Sequence, residues 1–299
     1  VPDRHRYREF PVAKTTRSGL SSGVPRFPAS FSAALLRPLL AAGAFWLVAC
    51  TPVPAVREAP NASAVPFDQL AVSGNACGPA ALLNAYRSGS PAWQRALTGV
   101  PGTDDRERLR NVIRIWGLQP SASLAGRKRW SRQGINAEDL RDLANELTAP
   151  KVLPRVRCEP FLTAAGESPH QLLARVHARL AASLAKGLPP VISIRRIALR
   201  QNPGKAPEWV VLHGHFVTVT AVPGRLGRGA AGFDIRYLDP WGGRRESGRL
   251  RVSTRAFVTA AEGVAPCLEA DLPQAAVGRN RVRAGETTLL TLSAGIGRW

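Results

Sequence analysis

The sequence predicts an α+β fold, and three observations carry that expectation. Helical patterns dominate the first half of the chain, strand-like runs follow from residue 190 to 252, and an apolar helix starts at a cysteine. The helix lies in Gly74-Asn75-Ala76-Cys77-Gly78-Pro79-Ala80-Ala81-Leu82-Leu83-Asn84-Ala85-Tyr86. Pro79 lacks the N–H that a first turn leaves unpaired, and Ala80 to Ala85 are mostly strong helix formers. Arg87, Gly89 and Pro91 give the stop signal. Unpaired N–H groups at a helix start favour thiolate over thiol, so Cys77 is read as a nucleophile rather than a small buried hydrophobe.

Further helices are expected from residue 104 to 116 and from 136 to 147, the second capped by Asn136. Ser168-Pro169 opens a long helix that closes at Gly187, and His170 and His177 on it read as structural or exposed. Between the earlier helices, Gly126 to Arg132 is a basic cluster with one tryptophan, read as a solvated loop. Residues 151–158 read as a strand, and Pro190 to Arg195 begins a series of them. The strongest covers 208–222, where a period of two places Val211, His213, His215, Val217 and Val219 on one face. A further strand ends at Asp239-Pro240; residues 249–252 extend the series, 253–262 read as a helix, and 285–294 as one more strand.

Asn75-Ala76-Cys77-Gly78-Pro79-Ala80-Ala81-Leu82, Gly214-His215-Phe216-Val217 and Asp239-Pro240, in that order, resemble the three motifs of papain-like cysteine peptidases, in particular the bacteriocin-leader (double-glycine) peptidase-like branch. The resemblance implies a papain-like fold: an N-terminal helical part with the nucleophile at the start of a central helix, packed on an antiparallel sheet that carries the histidine and the acid. It implies that Cys77 attacks an acyl carbonyl, that His215 moves protons, and that Asp239 fixes the histidine tautomer. Gln69 is the expected oxyanion donor, with Asn75 the alternative; His213 is a rival or a neighbouring partner of His215. One His-x-His lacks the ligands a zinc site needs, so neither metal nor cofactor is expected.

Ahead of this domain, residues 1–32 are basic and polar and are expected to be disordered or untranslated. The absence of methionine marks Val1 as a fragment's first residue or an alternative start. A short apolar run from Leu39 to Ala49 follows a basic flank, as in a secretory signal peptide, and Leu47-Val48-Ala49-Cys50 resembles a bacterial lipobox. That resemblance implies lipidation of Cys50 and a cell-envelope location, facing the periplasm or exterior. The expected organisation is therefore 1–49 leader and signal peptide, 50–61 Pro-rich tether, 62–270 peptidase-like domain, and 271–299 a C-terminal extension. With Cys50 and Cys77 assigned, Cys158 and Cys267 remain, and outside the cytoplasm they could pair, which would add about 4–5 kcal/mol in the chain-entropy picture.

The formal charge of +20 is scattered rather than gathered into an aromatic-studded stripe, so specific nucleic-acid binding is not expected. Attraction to anionic lipid or wall polymers is the expected consequence. The sequence thus points to a lipid-anchored cysteine peptidase or related acyl-transfer hydrolase acting on a peptide or protein substrate. Its rivals are a catalytically silent binding module of the same fold and a polyanion-binding surface protein.

Overall fold

The computed structural model describes residues 55–201, 204, 206–254, 268–275 and 277–299. The leader, the signal peptide and Cys50 lie outside the described residues, as do Cys267 and most of the helix expected at 253–262. The described chain is α+β: helices and a large antiparallel sheet.

In chain order the elements are β1 (Val56–Glu58), α1 (Cys77–Arg87), α2 (Pro91–Thr98), α3 (Asp105–Val112), β2 (Trp130–Ser131), β3 (Gly134–Ile135), α4 (Ala137–Thr148), β4 (Arg157–Pro160) and α5 (Pro169–Ala185). The strands β5 (Val191–Arg200), β6 (Glu208–Pro223), β7 (Gly232–Asp239), β8 (Arg244–Arg251), β9 (Glu269–Asp271) and β10 (Thr288–Gly297) complete it. Local chemistry explains most helix starts. Asp104 accepts from the N–H of Glu107, Asn136 from that of Asp139, and Ser168 forms a capping box with Gln171. After α3 the chain continues through a wide turn, Ile113–Gly117, so the helical pattern to residue 116 holds with a change of pitch.

The sheet runs β6-β5-β10-β9-β8-β7, and β7 returns to pair with β6, so these six strands close a ring. Closure removes the open edges that an antiparallel sheet would otherwise present. β1 adds to the far end of β6 and β4 to the end of β10. Inside lies one apolar cluster that includes Ile192, Ile194, Val217, Val219, Tyr237, Leu250 and Leu292, which α5 extends with Leu172, Leu173, Val176 and Leu180. A second cluster joins the helices, where Leu82, Leu83, Trp93, Leu109, Leu140 and Leu143 are buried and the Tyr86 and Trp93 rings stack at 5.8 Å. Each such fully buried side chain contributes about 1.5–3 kcal/mol of transfer free energy. α1 packs on β6, fixed there by the Thr218 hydroxyl, which donates to the Ala81 carbonyl at 2.6 Å.

Several expectations need correction. Residues 151–158 are not one strand: Lys151 ends a short helical turn, and the strand is Arg157–Pro160. A shift in register between Arg196/His213 and Ile197/Val211 places a bulge at Leu212, so Val211 leaves the inward face and is 58 % exposed. The domain limits also move. β10 lies between β5 and β9 in the ring, so 271–299 is no extension, and the tether expected to reach residue 61 already contains β1 and the buried Ala59. The basic cluster at 126–132 is not a free loop, because it leads into the β2–β3 hairpin, which packs on the start of α1.

Candidate active site

β6 and β7 pair only as far as Thr218 and Leu238 on this side of the ring. Beyond that point the strands separate, and His215, three residues further along β6, and Asp239, at the end of β7, meet across the gap. The His215 Nε2–H donates to Asp239 Oδ1 at 2.8 Å, with both side chains almost wholly buried, at 4 % and 0 % exposure. The carboxylate has further donors: the Trp241 N–H at 2.8 Å on Oδ1 and the Arg244 guanidinium at 3.4 Å from Oδ2. Arg244 is itself held by the Trp241 and Gln274 carbonyls. A carboxylate so supplied with donors is fixed in place.

Cys77, the first residue of α1, lies beside the imidazole, close enough to influence its protonation. With Nε2 committed to Asp239, Nδ1 is the ring nitrogen left for the sulfur. Burial alone would depress the pKa of His215. The bonds to Asp239 and to Cys77, and the charges of both, outweigh it and push the pKa up to about 9. The imidazole therefore holds its proton at neutral pH.

α1 has no side-chain cap, so the N–H groups of Cys77 and Gly78 head the helix without intrahelical acceptors. Gly78 has no substitute here, since a Cβ on it would lie 2.4 Å from Ile135 Cγ2 of β3. The hairpin that sets this contact is anchored on both sides. Arg129 forms a two-pronged pair with Glu146 of α4 at 2.7 Å, and the Trp130 indole N–H donates to the Asn75 carbonyl at 3.1 Å.

The segment before Cys77 is tied to the turn after Asp239. The Gln69 N–H donates to the Pro240 carbonyl at 2.8 Å, and the Gly242 N–H to Asp68 Oδ1 at 3.0 Å. These bonds link the loop that delivers the cysteine to the loop that delivers the acid. Gln69 is fully buried, its side-chain amide donating to the Gly74 carbonyl at 2.6 Å while Oε1 has no partner among the described residues. Asn75 is committed elsewhere, donating to the Arg132 carbonyl and accepting from the Ser73 hydroxyl at 2.7 Å.

The structure therefore brings Cys77, His215 and Asp239 together and places Gln69 in the loop that approaches them. His213 is set apart, with Gly278 packed so closely that a Cβ there would lie 2.6 Å from His213 Cβ. Burial, then Arg281 and His215, lower its pKa, so it is the uncharged histidine of the pair. Of the other histidines, His177 bonds the Pro223 carbonyl at 2.8 Å and is structural, and His170 is exposed. Cys158 is a free thiol on β4 whose burial pushes its pKa up to about 12, and its expected partner Cys267 lies outside the described residues. Among the described residues no three potential ligands cluster around a metal position, and no helix is long and apolar enough to cross a membrane. Sequence reasoning missed Arg244, Trp130 and Asp68. Arg244 alone had a signal, its place just past the Asp239-Pro240-Trp241-Gly242-Gly243 turn.

Compared with known proteins, the chain matches no family model, no curated protein and no solved structure.

Proposed function

We propose that this chain is an exported, lipid-anchored cysteine peptidase of papain-like type, or a related acyl-transfer hydrolase acting on peptide or amide bonds. One observation carries the reading: a helix-initial cysteine lies beside a buried imidazole whose Nε2 is 2.8 Å from a buried carboxylate. In this reading the Cys77 sulfur attacks the acyl carbon and His215 carries the cysteine's proton to the leaving amine. Asp239 keeps the imidazole oriented and steadies its charge. The N–H groups of Cys77 and Gly78 receive the oxyanion, joined by the Nε2–H of Gln69 that the Gly74 carbonyl does not hold. Lipidation at Cys50 would keep the domain at the cell envelope, where its substrate is a peptide or protein.

A second reading, a silent binding module, draws on the 8 % exposure of Cys77 and the closed position of Gln69. Alkylation of the native protein separates the two. Iodoacetamide near neutral pH, mapped by peptide mass spectrometry, is expected to label Cys77 while sparing Cys158, and His215→Ala should slow the labelling at least about 10²-fold. Labelling of Cys77 only after denaturation would overturn the enzyme reading and leave the binding module.

A further inference from the structure

A second polar site stands independent of the catalytic reading. A cavity of about 240 Å³ opens along β9 and the adjoining part of β10, and none of Cys77, His215 and Asp239 lines it. Its wall includes Arg196 of β5, Arg279 and Arg251, with the carboxylates of Glu269 and Asp271 and the Thr288 hydroxyl. Glu269 is matched by Arg251 at 2.6 Å and also accepts from the Ser253 hydroxyl. Arg196 and Arg279 have no carboxylate partner among the described residues. Arg196 donates to the Val277 carbonyl and to Thr288 Oγ1, and Arg279 to the Pro273 carbonyl.

Arg87, Arg129, Arg175 and Arg200, part-buried like Arg196, each bond a carboxylate, whereas Arg279 is exposed. Two guanidiniums held near one another with neutral acceptors repel, and the partial burial of Arg196 weakens the solvent screening on its side. The pKa of Arg196 is accordingly lowered, first by burial and then by Arg279. A third donor is available in the same wall, the Nε–H of Arg251, which is buried with no acceptor among the described residues. Asp271, outside any ion pair among the described residues, restricts an incoming anion to the Arg196–Arg279 end.

We infer that this cavity is a binding site for a compact oxyanion, a phosphate or carboxylate group held by the forked donors of Arg196 and Arg279 and by the Thr288 hydroxyl. None of its lining residues belongs to the proposed triad, so the two are testable separately.

The experiment uses the unmodified protein and an arginine-selective reagent, phenylglyoxal, with modification mapped by mass spectrometry at constant ionic strength. Saturating inorganic phosphate, or in a parallel arm succinate, is expected to slow modification of Arg196 and Arg279 at least about fivefold relative to the exposed Arg95 and Arg110. Protection by phosphate alone assigns a phosphoryl ligand, by succinate alone a carboxylate, and by both the oxyanion itself. A second measurement follows the rise in Tm with phosphate, which should vanish in Arg196→Gln/Arg279→Gln and persist in the equally charged control Arg95→Gln/Arg110→Gln. Protection by neither anion, or equal slowing at Arg95 and Arg110, overturns the site and reduces the effect to the net charge of the protein.

Discussion

The ring is incomplete in two places, and they are built in opposite ways. Where β6 leaves β7, the polar side chains satisfy one another: Asp239 accepts from His215, Trp241 and Arg244, with Cys77 beside the imidazole. Where β9 bridges β8 and β10 with three residues, Arg196 and Arg279 end on neutral carbonyls and a hydroxyl with no counter-charge among the described residues. Departures from regular strand pairing are where a closed sheet can aim polar groups at something other than its own backbone. The first gap has an internally matched set, as the proposed acyl-transfer chemistry would require. The second has an unmatched one, as binding requires.

The sharpest way to break the first set is at Asp239. Asp239→Ala leaves the His215 and Trp241 N–H groups and Arg244 without their acceptor in a buried place. We expect it to destabilise the fold by about 3–5 kcal/mol and to cut kcat/KM for an amide substrate about 10³–10⁴-fold. Asp239→Asn keeps an acceptor and removes the charge, so the loss should be smaller, about 10–10²-fold. Its distinguishing effect is on pH. With Asp239 intact, the alkaline limb of kcat/KM should fall near the His215 pKa of about 9, and in Asp239→Asn it should move to lower pH.

Stability should follow the same sign. His215 binds its proton more tightly in the folded chain, at about 9, than at its ordinary 6.5. Its contribution is therefore complete below pH 6.5 and disappears as pH rises through 9. Urea midpoints measured across that window should decline in the parent protein and flatten in Asp239→Asn. An unchanged alkaline limb and unchanged slope in the variant would remove Asp239 from the proton chemistry.

What could be read from the sequence follows from which interactions are local. The starts of α4 and α5 were visible because Asn136 and Ser168 cap the helices that follow them. β6 was visible through its long alternating run, while the bulge at Leu212 was not, because it depends on the register against β5. β8 was seen only at its end, since seven of its eight residues are half-buried or exposed and its alternation is polar, with Leu250 alone buried. β10 was seen as a strand but misplaced as an extension, because its partners, β5 and β4, precede it by about a hundred residues or more. In the site, Cys77, His215 and Asp239 were legible through short motifs. Arg244 and the hairpin contacts of Asn75 were not, being products of tertiary placement.

An intermediate effect is expected where the hairpin meets the helix start. Gly78→Ala puts a methyl group 2.4 Å from Ile135 Cγ2, with Leu140 and Phe216 side-chain atoms at 3.4 Å on its other sides. The hairpin must lift or α1 must shift, costing about 1–3 kcal/mol as overpacking does. Since Gly78 N–H is one of the oxyanion donors in the proposed mechanism, kcat should fall with little change in KM. The double variant Gly78→Ala/Ile135→Ala removes the clashing Cγ2 and should recover part of the stability. If stability returns while kcat stays low, the placement of the helix start is what the site requires.

The smallest effect tests whether α1 is held at the right depth rather than merely held. Thr218 Oγ1 donates to Ala81 O at 2.6 Å, between two fully buried residues, and it sits at the last β6–β7 pair before the gap. Thr218→Val keeps the shape and removes the donor, which should cost about 1–2 kcal/mol, because the Ala81 carbonyl retains its place in the helical ladder. Thr218→Ser keeps the donor and loses a methyl group, at a cost of about 1 kcal/mol. The two variants therefore start from similar stability losses and differ in the bond. Should Thr218→Val slow alkylation of Cys77 severalfold while Thr218→Ser does not, the hydroxyl sets the position of the sulfur over His215, and the gap in the ring is aligned by the strand pair that ends it.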